Sequence, residues 1–365
     1  MISPESRTRE WITFVSKKYR VSDVALLEKT IRAFSLLEAL ARSGCPFVFK
    51  GGSCLMLHFN TEKRLSVDID IICAPGTDVE RYIGMYANDY GFEKPELVNR
   101  KSRFNVPKMH AKYNYQVAYN GSRSDYVLLD VLLEDSPYKQ VENKAVQSPF
   151  LKIEGENVWV NVPSKSDILG DKLAAFAPNT TGIPYFKKDK AGNDRDCSLE
   201  IMKQLFDVAC LFDSLDNFEN VFEVYKKNAS VELDYRNLKI GVEDVLMDSI
   251  NTALCIGTNG YSDKERFSLL NHGIPKLQSF VYGNRYGLSN AVVDSSKIAY
   301  LSACLLKGMF IPEKYTSANA KNLAEVKIEA SVGSDLAVWT KLNKLKKSNP
   351  EAFYYWFRVF ELLKS

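Results

Sequence analysis

Apolar residues change their spacing along the chain, and those changes divide it into elements. Residues 5 to 43 carry helical spacing, interrupted near Tyr19-Arg20-Val21-Ser22, with Ser22 the expected N-cap of the second helix. In that second helix Ala25, Leu26, Ile31, Phe34, Leu36, Leu37 and Leu40 recur at helical spacing, and Gly44 ends it. The pattern then tightens. Phe47-Val48-Phe49 reads as a short buried strand, Gly51-Gly52 as a turn, and Ser53 as the start of a helix through Leu57. Val67 to Cys73 is the next strand, closed by Ala74-Pro75-Gly76, and Val79 to Tyr90 returns to helical spacing.

Further on, Lys112 to Tyr119 is β-like and ends in an Asn120-Gly121 turn, so Tyr126 to Leu133 is its expected partner strand. A shorter strand pair falls between Phe150 and Val162. Ser164 to Ala177 is a helix with a capping box, Ser164 facing Asp167. Asn179 to Pro184 breaks it, Lys187 to Asp196 reads as a polar loop, and Leu199 to Asp213 is helical again. Beyond Asp216 the patterns are almost all helical: Val221–Lys227, Val242–Cys255, Arg266–Val281, Ser289–Leu306, Leu323–Val332 and Ala352–Leu363. The expected architecture is an α+β domain over residues 1–215 followed by an all-α helical bundle over 216–365. A chain of 365 residues is longer than one core usually holds, which agrees with two domains.

Composition narrows the classes. With 48 basic and 45 acidic groups the net charge is +3, which excludes a strongly basic nucleic-acid coat but leaves room for a local basic patch. No apolar run is long enough for a membrane span, and the charged N-terminus lacks the apolar core of a secretory signal. Seven cysteines form no Cys-x-x-Cys pair and most sit in apolar runs, pointing to a reducing cytoplasm. Three scattered histidines argue against a zinc site.

The chemistry concentrates between Pro46 and Cys73. Alternate residues of a strand share a face, so Asp68 and Asp70 point together while Val67, Ile69 and Ile71 point inward. Two carboxylates ~5 Å apart repel by several kcal/mol at an effective dielectric near 20. A hard divalent cation such as Mg²⁺ or Mn²⁺ removes that cost. The turn Gly51-Gly52-Ser53 offers the complement: close backbone approach, unpaired helix N–H groups and a hydroxyl, all suited to phosphate. Asp130, alone in an apolar strand, is the expected third carboxylate, and Asp135 is the weaker choice. Separately, Gly-Gly-Ser is a common helix start and Asp-x-Asp can be a surface face. The combination points to a site for a nucleoside triphosphate and metal.

The run Lys50-Gly51-Gly52-Ser53-x-Leu55 followed by Arg64-x-Ser66-x-Asp68-Ile69-Asp70 resembles the AbiEii family of bacterial nucleotidyltransferase toxins, within the polymerase-β-like nucleotidyltransferase superfamily. Later matches are Asp171-Lys172-Leu173 and Gln204-Leu205-Phe206-Asp207, so the resemblance covers residues from about 45 to 213. It implies a nucleotidyltransferase-like mixed β-sheet flanked by helices, with a helical domain walling a cleft. It further implies that Gly52 and Ser53 hold the nucleotide phosphates, that Asp68 and Asp70 bind metal, that Lys172 contacts the triphosphate and that Asp207 orients or activates the acceptor. The segment Thr180–Ser198 departs from the family pattern. It leaves Arg195 and Lys203 as candidates for a basic group that relatives carry nearer the last Asp.

Leu97 to Ser124 contains no acidic residue but holds Arg100, Lys101, Arg103, Lys108, Lys112 and Arg123 among tyrosines. It is the expected contact for an RNA acceptor, the resemblance tilting toward the 3′ end of tRNA, and it can equally be a hairpin with a solvated basic face. The leading expectation is a cytoplasmic, metal-dependent nucleotidyltransferase acting as the toxin of a toxin–antitoxin pair, with an antitoxin partner. Two others stand beside it: transfer to a small molecule such as an aminoglycoside, and a nucleotide-binding regulator without turnover.

Overall fold

The computed structural model describes all residues except 60–63, 98–107, 120–122, 190, 317, 330–335 and 365. The chain packs as two compact units, Met1–Ser164 with Ser279–Arg285, and Lys165–Gln278 with Tyr286–Ser365. This division by packing falls before the helices at 165–175 and 198–214, whereas the pattern of elements suggested a boundary near 215.

The first unit opens with a short 3₁₀ turn and two helices, α1 (Arg9–Tyr19) and α2 (Val24–Arg42). Arg20 between them adopts a left-handed conformation, and Asp23, not Ser22, caps α2 by accepting from the Leu26 N–H at 2.9 Å. An Asp carboxylate one residue nearer the apolar stripe takes the capping position. The sheet strands are β1 (Val48–Lys50), β2 (Ile69–Cys73), β3 (Glu96–Leu97), β4 (Lys108–Gln116), β5 (Ser124–Leu133), β6 (Val141–Ala145) and β7 (Trp159–Pro163), with α3 (Gly51–His58) between β1 and β2 and the short α4 (Val79–Ile83) after β2. They form one mixed sheet in the order β3-β4-β5-β2-β1-β7-β6. β2 runs antiparallel to β1 and parallel to β5, and β5 pairs antiparallel with β4. The expected Asn120-Gly121 turn lies outside the described residues.

Alternation along the central strands sorts the two faces. Ala111, Tyr113 and Tyr115 of β4 and Val127, Leu129 and Val131 of β5 are buried. His110, Lys112 and Asn114 with Tyr126, Leu128 and Asp130 occupy the other face. α2 packs on β5 and buries Leu27, Ile31, Phe34 and Leu37.

In the second unit the helices are α5 (Lys165–Ala175), α6 (Ser198–Ser214), α7 (Val221–Tyr235), α8 (Val242–Gly257), α9 (Lys264–Gln278), α10 (Leu288–Leu306), α11 (Leu336–Thr340), α12 (Leu345–Ser348) and α13 (Pro350–Lys364). α10 packs against α6, α8 and α13. Phe212, Tyr300 and Tyr355 interlock there, with edge-on ring contacts of Phe212 at 6.4 and 5.6 Å. Residues 187–196 are not a plain loop: Phe186–Lys188 and Asp194–Asp196 pair as an antiparallel hairpin, β8 and β9. Asp189 closes it by accepting from the Ala191 and Asn193 N–H groups, a side-chain device that apolar periodicity does not register. The helix expected over Leu323–Val332 is also absent among the described residues, where a 3₁₀ turn at Asn319–Ala324 gives way to irregular chain. No described helix is long and apolar enough to cross a membrane, and none of the seven cysteines forms a disulfide.

Candidate active site

β1 delivers the chain directly into α3, and the link is Gly51, whose φ of +78° favours glycine. A β-carbon on Gly51 would lie 2.1 Å from Oδ2 of Asp70, so the Asp70 carboxylate packs onto the bare backbone of the turn. The two chemical elements are therefore in contact. Gly52 is bare for a different reason: a β-carbon there would meet Nη2 of Arg64 at 2.7 Å and Oγ of Ser66 at 2.9 Å. Arg64 is buried, donates from Nη1 to the Leu65 carbonyl at 3.0 Å, and pairs through its backbone with Val281. It braces the α3 turn from the chain just before β2.

Ser53 is also buried, and its hydroxyl donates to the main-chain oxygen of Asp68 at 2.5 Å. That bond ties α3 to the start of β2. β2 begins at Ile69, two residues later than the alternation suggested, so Asp68 immediately precedes it, half-buried. Ile69 and Ile71 are buried and Asp70 is half-buried, as the alternation requires.

Strand register draws a row of polar side chains across one face of the sheet. Lys50 lies opposite Asp70, Asp70 opposite Asp130, and Asp130 opposite His110. Neighbouring strands are ~4.8 Å apart, so adjacent members of this row are within reach of one another or of a shared ligand. His110 Nδ1 is 2.5 Å from Asp130 Oδ1. An ionised carboxylate only accepts, so the imidazole N–H donates. Lys50 Nζ lies 5.7 Å from the Tyr138 ring centroid. Asp135 is exposed beyond the end of β5.

Carboxylate oxygens on one sheet face suit a hard divalent cation. Among the described residues no three His, Cys, Asp or Glu side chains cluster tightly enough to enclose a metal ion. Asp70 and Asp130 fit instead as an open, partial ligand set. Mg²⁺ is commonly held in that way, by one or two carboxylates with substrate phosphates and water completing its shell.

Lys172 and Asp207 belong to the second unit, on α5 and α6. They form an ion pair with each other, Nζ to Oδ2 3.0 Å, with side chains only 8% and 3% exposed. The pair joins α5 to α6 and gives Asp207 a buried partner on another helix. Beside it the Phe206 ring meets Tyr286 edge-on at 5.3 Å. Arg195 lies on β9, mostly exposed, and pairs with Glu200 at 3.0 Å. Of the basic stretch, Arg100, Lys101 and Arg103 lie outside the described residues. Lys108 and Arg123 are exposed, and Lys112 Nζ sits 4.3 Å from the Tyr126 ring centroid.

A mixed sheet that carries a glycine turn, a helix start and in-register carboxylates on one face is an arrangement suited to a nucleotidyltransferase. The family model described as "Nucleotidyl transferase AbiEii toxin, Type IV TA system" matches residues 35–252, more than half of the chain. The chain belongs to that family, and membership implies a nucleotidyltransferase toxin of a type IV toxin–antitoxin system. No curated protein matches the sequence.

His110 is the site residue that sequence reasoning passed over. A lone histidine in a β-like run carries no signal by itself, and only the β4–β5 register places it on Asp130. Its sequence trace is the alternation that puts His110 and Lys112 on the face opposite Tyr113 and Tyr115.

Proposed function

We propose that this chain transfers a nucleoside monophosphate from a nucleoside triphosphate to RNA, with the 3′ end of tRNA as the acceptor, and that this transfer is the toxic activity which a partner antitoxin restrains. The observation that carries it is the contact of the Gly51 turn with Asp70, with Asp130 beside it in register. One small region then offers a phosphate-binding backbone and carboxylates for a cation. In the reaction the acceptor hydroxyl oxygen bonds to the α-phosphorus and gives up its proton to solvent, the bond from that phosphorus to the bridging oxygen of the β-phosphate breaks, and pyrophosphate leaves with the electron pair.

The first N–H groups of α3, at Gly51 and Gly52, bind the triphosphate oxygens, while the missing side chains of these glycines make room for Asp70 and Arg64 behind the turn. Ser53 supports this turn through Asp68. Asp70 and Asp130 are the residues that would hold Mg²⁺ or Mn²⁺ as an open pair, with Asp68 the third ligand that the family resemblance implies, and the bound cation would neutralise charge on the attacking and leaving oxygens. Lys172 and Asp207 keep the roles that the family resemblance gives them, triphosphate contact and acceptor orientation. Their mutual ion pair means that each substrate group would have to compete with the partner's charge.

Incubation with each α-labelled nucleoside triphosphate and total RNA tests the proposal. Label enters RNA with the wild type, and Asp70→Ala reduces it at least 100-fold and relieves growth inhibition. Label appearing only on an aminoglycoside, or nucleotide binding without turnover, would replace RNA transfer by one of the other two functions.

A further inference from the structure

We propose that His110 is a positioning residue of the transfer site: its imidazole holds the Asp130 carboxylate in the orientation the reaction needs. The proposal rests on the nucleotidyltransferase reading of the site and adds to it a residue that neither the motif nor the family description marks.

Three observations carry it. First, His110 and Asp130 are directly opposed in the antiparallel β4–β5 ladder, on the face that also bears Asp70. Cross-strand partners on one face are the closest side-chain neighbours a sheet provides. Second, Nδ1 and Oδ1 are 2.5 Å apart, and this is the only hydrogen bond of the imidazole among the described residues. With Nδ1–H donating to Oδ1, rotation of the carboxylate is arrested and Oδ2 is left for a further ligand. Third, the histidine is the more enclosed member of the pair, its side chain 13% exposed against 30% for Asp130. The ring is the fixed part and the carboxylate is the part being held.

An aspartate has two soft torsions, and beside Asp70 it would otherwise turn away from a like charge. A single ring N–H on one oxygen restrains it while leaving the second oxygen open to a ligand. Groups that orient a ligating side chain from behind are worth roughly 10- to 100-fold in metal affinity or activity.

The test uses the full chain with His110→Ala, His110→Asn, Asp130→Ala and the double variant His110→Ala/Asp130→Ala. Turnover is read as labelled nucleotide entering RNA, and Mn²⁺ affinity by electron paramagnetic resonance in the presence of a non-hydrolysable triphosphate. His110→Ala is expected to lower kcat roughly 10- to 100-fold, with KM for the triphosphate within about twofold, and to weaken Mn²⁺ binding about tenfold. His110→Asn, whose amide can still donate, recovers part of both losses. In the Asp130→Ala background, removing His110 has no further effect on Mn²⁺ affinity, because the group it acts through is gone.

Unchanged turnover and Mn²⁺ affinity in His110→Ala overturn the proposal. So does a second, full-sized loss of Mn²⁺ affinity in the double variant, which would show His110 acting independently of Asp130. Asp70→Asn, measured in parallel, separates the two levels. Full activity in Asp70→Asn would sink the transfer site itself, whereas an inactive Asp70→Asn beside a normal His110→Ala removes only the role given to His110.

Discussion

At Gly51 the absence of a side chain is what lets the Asp70 carboxylate reach the turn, and a second glycine provides the control. Gly44 and Gly51 share nearly the same backbone, φ +76° and +78°, but a β-carbon at Gly44 meets nothing within 4 Å whereas at Gly51 it strikes Asp70. Both Gly44→Ala and Gly51→Ala therefore pay the left-handed cost, about 1–2 kcal/mol. Only Gly51→Ala also displaces the carboxylate. Denaturant unfolding with parallel transfer assays should find both variants destabilised and Gly51→Ala alone inactive. Equal activity in the two would separate the turn from the chemistry. The pair Lys172–Asp207 poses the opposite problem, since it is buried and charged. Removing one partner strands the other, so Asp207→Ala should cost about 3–5 kcal/mol, and Lys172→Met/Asp207→Leu should regain most of it. Unfolding midpoints check this. If the stable double variant is also inactive, the pair serves the reaction as well as the fold.

At the scale of elements, the packing of α10 against α6 and α13 makes stability depend on pH. Lys297 on α10 is buried between Asp213 of α6 and Glu351 of α13, at 2.8 and 2.9 Å. Burial alone would lower its pKa, but the two carboxylates outweigh burial and raise it. One turn earlier, half-buried Asp294 accepts from the Tyr286 hydroxyl at 2.7 Å. Burial pushes its carboxyl up from 3.8 to about 7, against the pull of Tyr286 and Lys297, and Asp213 and Glu351 add to the rise. A raised folded-state pKa means that the folded state holds the proton more tightly than the unfolded chain. The contribution is therefore complete below about pH 4 and is lost as pH rises toward 7. Thermal unfolding should show the wild type losing on the order of 2 kcal/mol between pH 4 and 8 relative to Asp294→Asn, a figure reduced from the full linkage value for partial exposure. Parallel curves for the two proteins would refute it.

The same scale shows what sequence can carry. α3, β2 and β5 were legible because each has its own periodicity and punctuation, as in the alternation that buries Ile69 and Ile71 around Asp70. Asp130 was legible as a polar residue out of place in an apolar strand. Its alignment with Asp70 and His110 was not, because register is a property of three strands at once and a shift of one residue would turn each side chain to the other face. Nor did local spacing show the Lys172–Asp207 ion pair, which joins side chains on two separate helices. The β8–β9 hairpin escaped because a short exposed ladder needs no apolar stripe, and Asp189 closes it with its side chain.

At the scale of the whole molecule the question is how a chain with a net charge of only +3 would hold RNA. Charge segregation is one answer. The acid-free stretch puts Lys108, Lys112 and Arg123 on or beside β4 and β5, two of the three exposed, and Lys112 against the half-exposed ring of Tyr126. β4 also carries His110, so on one sheet face Lys112 stands two residues, or about 7 Å, from the row containing Asp130. Basic groups that close to the transfer site would bind phosphates near the reacting end of the acceptor. Each phosphate contact releases counterions, so RNA affinity should fall steeply with salt. Charge removal in Lys108→Gln, Lys112→Gln or Arg123→Gln should each lower the salt slope by up to about one unit and weaken RNA binding evenly across sequences. Lys108→Gln and Lys112→Gln should additionally raise KM for RNA while leaving KM for the triphosphate unchanged, since each stands two residues from His110 on that face. Filter binding across a salt series, followed by steady-state labelling with both substrates varied, measures both effects. A Lys112→Gln enzyme with an unaltered salt slope and RNA KM would move the acceptor site off this face and return the basic stretch to a solvated hairpin.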